Sequence, residues 1–124
     1  MSLFDVMNIA ASGMQAAQTQ LSVSANNIAN ADTPGFKASR VDTVELGTGG
    51  VGTVITRDNS AGAANPDGSE GSNVDLAAEQ VAMARDATYY AANATVVKVA
   101  NRMLGSLLDI FDTEDRHGHR HHHV

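Results

Sequence analysis

At 124 residues with a net charge of −6, the chain has no basic footprint for nucleic acid, and it is long enough for one lean domain. Cysteine is absent, which excludes disulfides and thiolate metal sites, and no run approaches the roughly 18 apolar residues of a membrane helix. With no Trp, two Tyr and three Phe, the 43% hydrophobic content is mostly small, which suits long helices with narrow apolar seams better than a thick core.

The first predicted element is a helix over residues 3–30. Leu3, Met7, Ala10, Met14, Ala17, Leu21, Ser24 and Ile28 alternate in steps of four and three, a heptad seam held over the whole segment. At 1.5 Å per residue it is about 40 Å long. From Met1 to Phe36 the only charges are Asp5 and Asp32. A solvated lone helix carries Lys and Glu outside its seam. Here those faces carry Asn, Gln, Ser, Thr and Ala, which reads either as a neutral polar surface or as a face that packs on copies or relatives of the chain. The start, Met1-Ser2-Leu3-Phe4-Asp5, lacks the basic region of a cleavable signal peptide.

The stretch Ala25-Asn26-Asn27-Ile28-Ala29-Asn30-Ala31-Asp32-Thr33-Pro34-Gly35-Phe36-Lys37 ends the helix. Asn30, Asp32, Pro34 and Gly35 are helix-stopping and turn-making residues, and Pro34 biases Thr33 away from the helical region. Gly35 allows the positive φ of a type II turn. Lys37–Arg57 then reads as a β-hairpin. Val41, Val44, Val51, Val54 and Ile55 are its strand formers, and Gly47-Thr48-Gly49-Gly50 is its turn. The alternation does not give the register, and a two-stranded hairpin must lean on something else to be stable. Asp58–Asn73, rich in Gly, Ala, Asn, Ser and Asp, reads as a flexible loop with a turn at Pro66-Asp67-Gly68 and no phosphate-loop pattern.

Residues 74–112 form the second predicted helix, capped by Ser72 or Asn73, with Asp75 in its first turn. Leu76, Met83, Tyr90, Val97, Leu104 and Phe111 recur every seven residues, with a weaker companion column at Gln80, Ala87, Ala94, Asn101 and Leu108. The expected partner is the first helix, antiparallel, with Met14 and Leu21 facing Met83, Val97 and Leu104, and with the hairpin and loop at one end of the pair. The predicted fold is therefore mainly α. It comprises an N-terminal helix and turn (1–36), a β-hairpin and loop (37–73) and a C-terminal helix (74–113) in one coiled-coil hairpin, followed by a disordered His-rich tail (114–124).

That tail holds His117, His119, His121, His122 and His123. Imidazoles this close chelate Ni²⁺, Cu²⁺ or Zn²⁺ incidentally. No biological metal site and no cofactor is read from them. Asp109, Asp112, Glu114 and Asp115 sit at a helix end, where their charge opposes the helix dipole and no cleft holds them for acid–base work. No Ser-His-Asp set can be built, since every His lies in the tail. These residues argue against an enzyme.

The order of residues carries more than its pattern. The run Ala25, Asn26, Asn27, Ile28, Ala29, Asn30, Thr33, Gly35, Phe36 and Lys37, with Ser12-Gly13-Met14, Ala17, Gln18 and Leu21 upstream, resembles the first-helix signature of bacterial flagellar rod and hook proteins. Ser72, Asn73, Val74, Asp75, Glu79, Met83, Tyr90, Ala91, Ala92, Asn93, Met103, Leu107 and Leu108 resemble the C-terminal segment of the same family. The chain departs from the family pattern at Gln80, at Ala87-Thr88 and at Asn101. The similarity covers residues 3–37 and 72–111, with Gly49-Gly50-Val51 between them. Only about 35 residues separate Lys37 from Ser72, which resembles the small proximal rod proteins rather than those with large β domains. The resemblance implies a structural subunit of the basal-body rod. Such a subunit is exported through the flagellar type III apparatus without a cleavable signal peptide. It assembles with itself and other axial proteins into the torque-transmitting shaft that spans the periplasm, with no membrane insertion. Two rival readings use other features: a metal-binding coiled-coil protein acting through the tail, and a cytoplasmic helical adaptor.

Overall fold

The computed structural model describes residues 1–122, with side chains through residue 115. The chain folds as α1 (Leu3–Ala29), β1 (Ser39–Glu45), β2 (Val51–Arg57) and α2 (Leu76–His122). The two helices pack together and the strands form one antiparallel pair. Among the described residues no helix is long and apolar enough to cross a membrane.

α1 begins with a capping box that the seam pattern did not announce. The Ser2 hydroxyl accepts from the Asp5 N–H and the Asp5 carboxylate accepts from the Ser2 N–H, both at 3.1 Å. Its end is where the sequence put it, with the Asn30 N–H bonded back to Asn27 and Ile28. The Phe36 N–H then donates to the Thr33 carbonyl across Pro34-Gly35, with Gly35 at φ +70°, the arrangement of a type II turn.

The hairpin register runs from Ser39 opposite Arg57 to Glu45 opposite Val51, closed by Leu46–Gly50 with Gly49 and Gly50 at positive φ. Its position differs from expectation. The hairpin lies along the flank of α1 and not at one end of the helix pair. At its root Ser39 bonds to Asn27. Near its tip the Val51 N–H donates to the Ser12 hydroxyl, which itself donates to the Ile9 carbonyl. Root and tip are thus about 22 Å apart along α1, at 1.5 Å per residue. The physical reason is a second stripe on α1. Ile9, Ser12, Ala16, Thr19 and Val23 are buried or half-buried beside the seam. Part of the uncharged surface read as a face for other copies is therefore covered by the chain's own hairpin.

α2 is capped by Asp75, whose carboxylate accepts from the Ala78 N–H, and not by Ser72 or Asn73. The Ser72 hydroxyl is occupied by the Val74 N–H and the Asn73 side chain by Ala38 and Asp58, which flank the strands. α2 also runs to His122, beyond the predicted boundary at 112 and through most of the segment expected as a disordered tail. His123 and Val124 lie outside the described residues.

In the seam column Met83, Tyr90, Val97 and Leu104 are half-buried, and its ends, Leu76 and Phe111, are exposed. In the companion column only Ala94 is half-buried, while Gln80, Ala87, Asn101 and Leu108 are exposed, and Glu79, Asp86, Asn93 and Ala100 turn inward instead. A seven-residue repeat allows a companion at i+3 or i+4, and apolarity favoured the second. The structure uses the first because α1 accommodates the polar groups. Asn27 bonds Glu79, and Gly13 leaves room for Asn93: a Cβ on Gly13 would stand 2.7 Å from the Asn93 amide nitrogen.

The pairing of Asn27 with Glu79 and of Gly13 with Asn93 fixes the antiparallel stagger. α1 starts about opposite Leu104, and from 105 to 115 every residue of α2 is exposed. The fully buried apolar residues are all alanines: Ala10, Ala16, Ala17, Ala38 and Ala100. The core is thin, as the composition required.

Candidate assembly junction

Where α1 ends, two asparagines gather five segments. Asn27 is 1% exposed. Its amide nitrogen donates to the Ser39 carbonyl at 2.9 Å and to the Glu79 carboxylate at 3.0 Å, and its oxygen accepts from the Ser39 N–H at 3.0 Å. The side chain thus stands in for a neighbouring strand at the first residue of β1 and ties it to α2. Asn73 does the same on the other side. Its oxygen accepts from the Ala38 N–H at 2.7 Å, and its nitrogen donates to the carbonyls of Asp58 and Ser60 at 2.8 and 2.9 Å. Its own N–H donates to the Phe36 carbonyl. Only a primary amide offers donor and acceptor together in this geometry.

Two ion pairs flank the amides. Lys37 bonds Glu70 and the Ser60 carbonyl, and Glu70 also accepts from the Gly62 N–H while its backbone carbonyl accepts from the Gly35 N–H. Arg40 pairs with Asp58 at 2.7 Å. The hydrogen bond from Lys37 holds the Glu70 carboxyl below its ordinary value, and those from Arg40 and then Ser60 hold Asp58 well below its own. The segment expected as a flexible loop is therefore tied to the start of β1, and it folds on itself through the Asn65–Gly68 turn and a bridge between Ala64 and Glu70.

Of the signature residues, Asn27, Thr33, Gly35, Phe36, Lys37, Asn73 and Glu79 meet at this junction. Asn30 braces the turn, donating to the Asn26 carbonyl and accepting from the Thr33 hydroxyl. Ile28 is half-buried on the seam, while Ala25, Asn26 and Ala29 face outward. Val74 is half-buried beside the junction and Asp75 is the cap of α2. Tyr90 and Asn93 lie farther up the seam, and Met14, Leu21, Met83, Val97 and Leu104 are half-buried along it. Among the tail imidazoles, His123 lies outside the described residues, and the side chains of His117, His119, His121 and His122 outside the described side chains. Sequence reasoning missed Glu70, Asp58 and Ser39. Their sequence neighbourhood is ordinary loop or strand, and only Lys37, Arg40 and Asn27 reaching across the fold give Glu70, Asp58 and Ser39 a role.

This junction and the seam coincide with two family matches. Residues 7–37 match the Flagella basal body rod protein family, and residues 68–110 match the Flagellar basal body rod FlgEFG protein C-terminal family. The chain belongs to the flagellar basal-body rod proteins. No curated protein matches it significantly. As a rod-family protein it is a structural component of the basal body, from a group of structural rather than enzymatic families, and the family points to association with other rod proteins. The first match ends at Lys37 and the second begins at Gly68, so Asn27 and Lys37 come from one matched segment, Glu70, Asn73 and Glu79 from the other, and Ser39, Arg40 and Asp58 from the stretch between them.

The rest of the molecular surface shows what a rod protein leaves open. On α2, Tyr89, Val96, Met103 and Ile110 recur every seven residues and are 55%, 41%, 52% and 57% exposed. Val99 and Leu107 lie between them and are exposed too. This second apolar stripe is about 100° around the helix from the α1 seam, one residue's turn. On α1, Asn8, Ala11, Gln15, Gln18, Ser22, Ala25 and Ala29 form an exposed stripe without charge.

Proposed function

We propose that this protein is a small proximal-type rod subunit that self-assembles with other axial proteins into the torque-transmitting shaft, reaching it through the flagellar export apparatus. The observation that carries this reading is the second heptad stripe of α2, apolar and exposed, continuing past Leu104, beyond the first residues of α1. A helix with two seams is built to lie between two helices. The chain supplies one of them, and neighbouring subunits supply the other. The uncharged outer stripe of α1 suits the same purpose, because close packing between subunits penalises unpaired charge.

The test is deletion of the gene followed by electron microscopy of basal bodies. Absent or truncated rods and loss of swimming are expected, and complete rods would overturn the reading. Removal of residues 117–124 separates this function from metal binding by the tail. Truncated cells should swim nearly normally, whereas a protein acting through its imidazoles should lose its role.

A further inference from the structure

Between α1, the root of the hairpin and the first turns of α2 lies an open cleft of about 420 Å³. Five carboxylates line it, Asp42, Asp58, Asp75, Glu79 and Asp86, against two arginines, Arg40 and Arg85. α1 adds only the neutral Gln20, Val23 and Ser24. Most of the charged groups are already engaged. Arg40 holds Asp58, Asp75 caps α2 and Glu79 accepts from Asn27. Asp42 is exposed to water.

Asp86 is different. It is 2% exposed, it lines the cleft, and it makes no hydrogen bond or ion pair among the described residues. Its neighbour Arg85 lines the same cleft and its charge opposes the effect of burial on the carboxyl, but the two make no ion pair. A carboxylate this nearly withdrawn from water, its oxygens left only their opening to the cleft, is costly without a direct partner, and an added cation relieves that cost. Among the described residues no group of three or more His, Cys, Asp or Glu is placed to hold a metal ion, so the donor set suits a cationic side chain rather than a metal.

We propose that this cleft is a socket for an arginine or lysine side chain of a neighbouring axial subunit, with the Asp86 carboxylate as its counter-ion. The proposal rests on the rod reading for the identity of the neighbour, and on the buried, unpaired carboxylate for the chemistry. A guanidinium entering the cleft donates to Asp86 and completes a charge-assisted pair that the isolated subunit lacks. The net negative lining favours its approach.

The experiment is an NMR titration of the full chain with acetyl-arginine amide, using acetyl-norleucine amide as the uncharged control, on the native protein and on Asp86→Asn. Saturable shifts at Ser24, Ala82 and Asp86 with the arginine probe alone are expected. Affinity should be roughly tenfold or more weaker in Asp86→Asn, the loss of one charge-assisted contact. Equal affinity for the variant, or equal response to the control, would overturn the socket. A thermal melt at pH 7 checks the fold. Asp86→Asn should melt at or above the native temperature, because it removes a buried, uncompensated charge, and a lower melting temperature would mean that Asp86 serves the fold of the free subunit instead. The titration involves no flagellum. Its failure alongside rodless deletion cells would remove the socket and leave the rod reading standing.

Discussion

The two ends of the helix pair solve opposite problems. At the junction end, polar side chains find their partners within the chain: Asn27 satisfies the first residue of β1, Asn73 satisfies Ala38 and Asp58 beside the strands, and Glu70 and Asp58 hold the cations next to them. At the far end, apolar side chains stand in water with nothing over them, from Met103 through Leu107, Leu108, Ile110 and Phe111. Under the proposed rod function, this division suits a subunit that folds before it assembles. Hydrogen-bonded polar groups fix one conformation of the chain, and on that reading the exposed apolar helix keeps its free energy of burial for contact with other subunits.

The comparison can be broken first at the seam that joins the two ends. Leu21→Asp or Val97→Asp should cost on the order of 3 kcal/mol or more in urea unfolding, since each puts a charge into the helix interface. The same change at the exposed Gln18 or Lys98 should cost about 1 kcal/mol or less. Equal losses at all four sites would mean that the seam is misplaced.

Asn27→Leu sharpens the junction side. It strands the Ser39 N–H and carbonyl and leaves Glu79 without its donor, so a loss of about 2–3 kcal/mol is expected in the same measurement. A neutral result would show that water replaces the amide without cost. Gly35→Val should cost about 1–3 kcal/mol, because a β-branched residue resists φ +70°. No neighbour lies within reach of a Cβ there, so the effect is backbone strain alone and Gly35→Asn should recover much of it.

Acid should loosen the junction. Glu70 and Asp58 have folded-state values below their unfolded ones, so their contribution is present above the unfolded value and is lost as pH falls through the folded value. Burial raises Asp86, with Arg85 opposing and Glu79 reinforcing, and the sign reverses: its penalty grows as pH rises above the unfolded value of 3.8. The melting-temperature gap between the native protein and Glu70→Gln should therefore narrow as pH falls below the ordinary glutamate value of 4.5. A gap independent of pH would remove the ion pair from the account.

The smallest effect on stability belongs to the free end. Met103→Ser with Leu107→Ser should change unfolding by about 0.5 kcal/mol or less, as for exposed sites generally, yet should impair rod completion and swimming. A large loss of monomer stability would mean that this stripe is covered within the chain.

The sequence alone determined the two long helices, the turn and the partner seam. These rest on local chemistry: a heptad period that does not depend on the partner, a Pro-Gly pair whose φ preferences are intrinsic, and a run of turn-forming residues, Asn30, Asp32, Pro34 and Gly35, concentrated in one place. Only the tertiary structure decided the companion column, the cap of α2 and the place of the hairpin. Glu79 and Asn93 look wrong for a seam until Asn27 and Gly13 are seen opposite them. Asp75 became the cap because Ser72 and Asn73 were already bonded elsewhere. The hairpin lies along α1 because Ile9, Ser12, Ala16, Thr19 and Val23 form a second stripe, and small residues in a stripe do not announce whether a strand, a helix or water will cover them. Polar and small side chains take their meaning from a partner, and the partner is known only once the chain has folded.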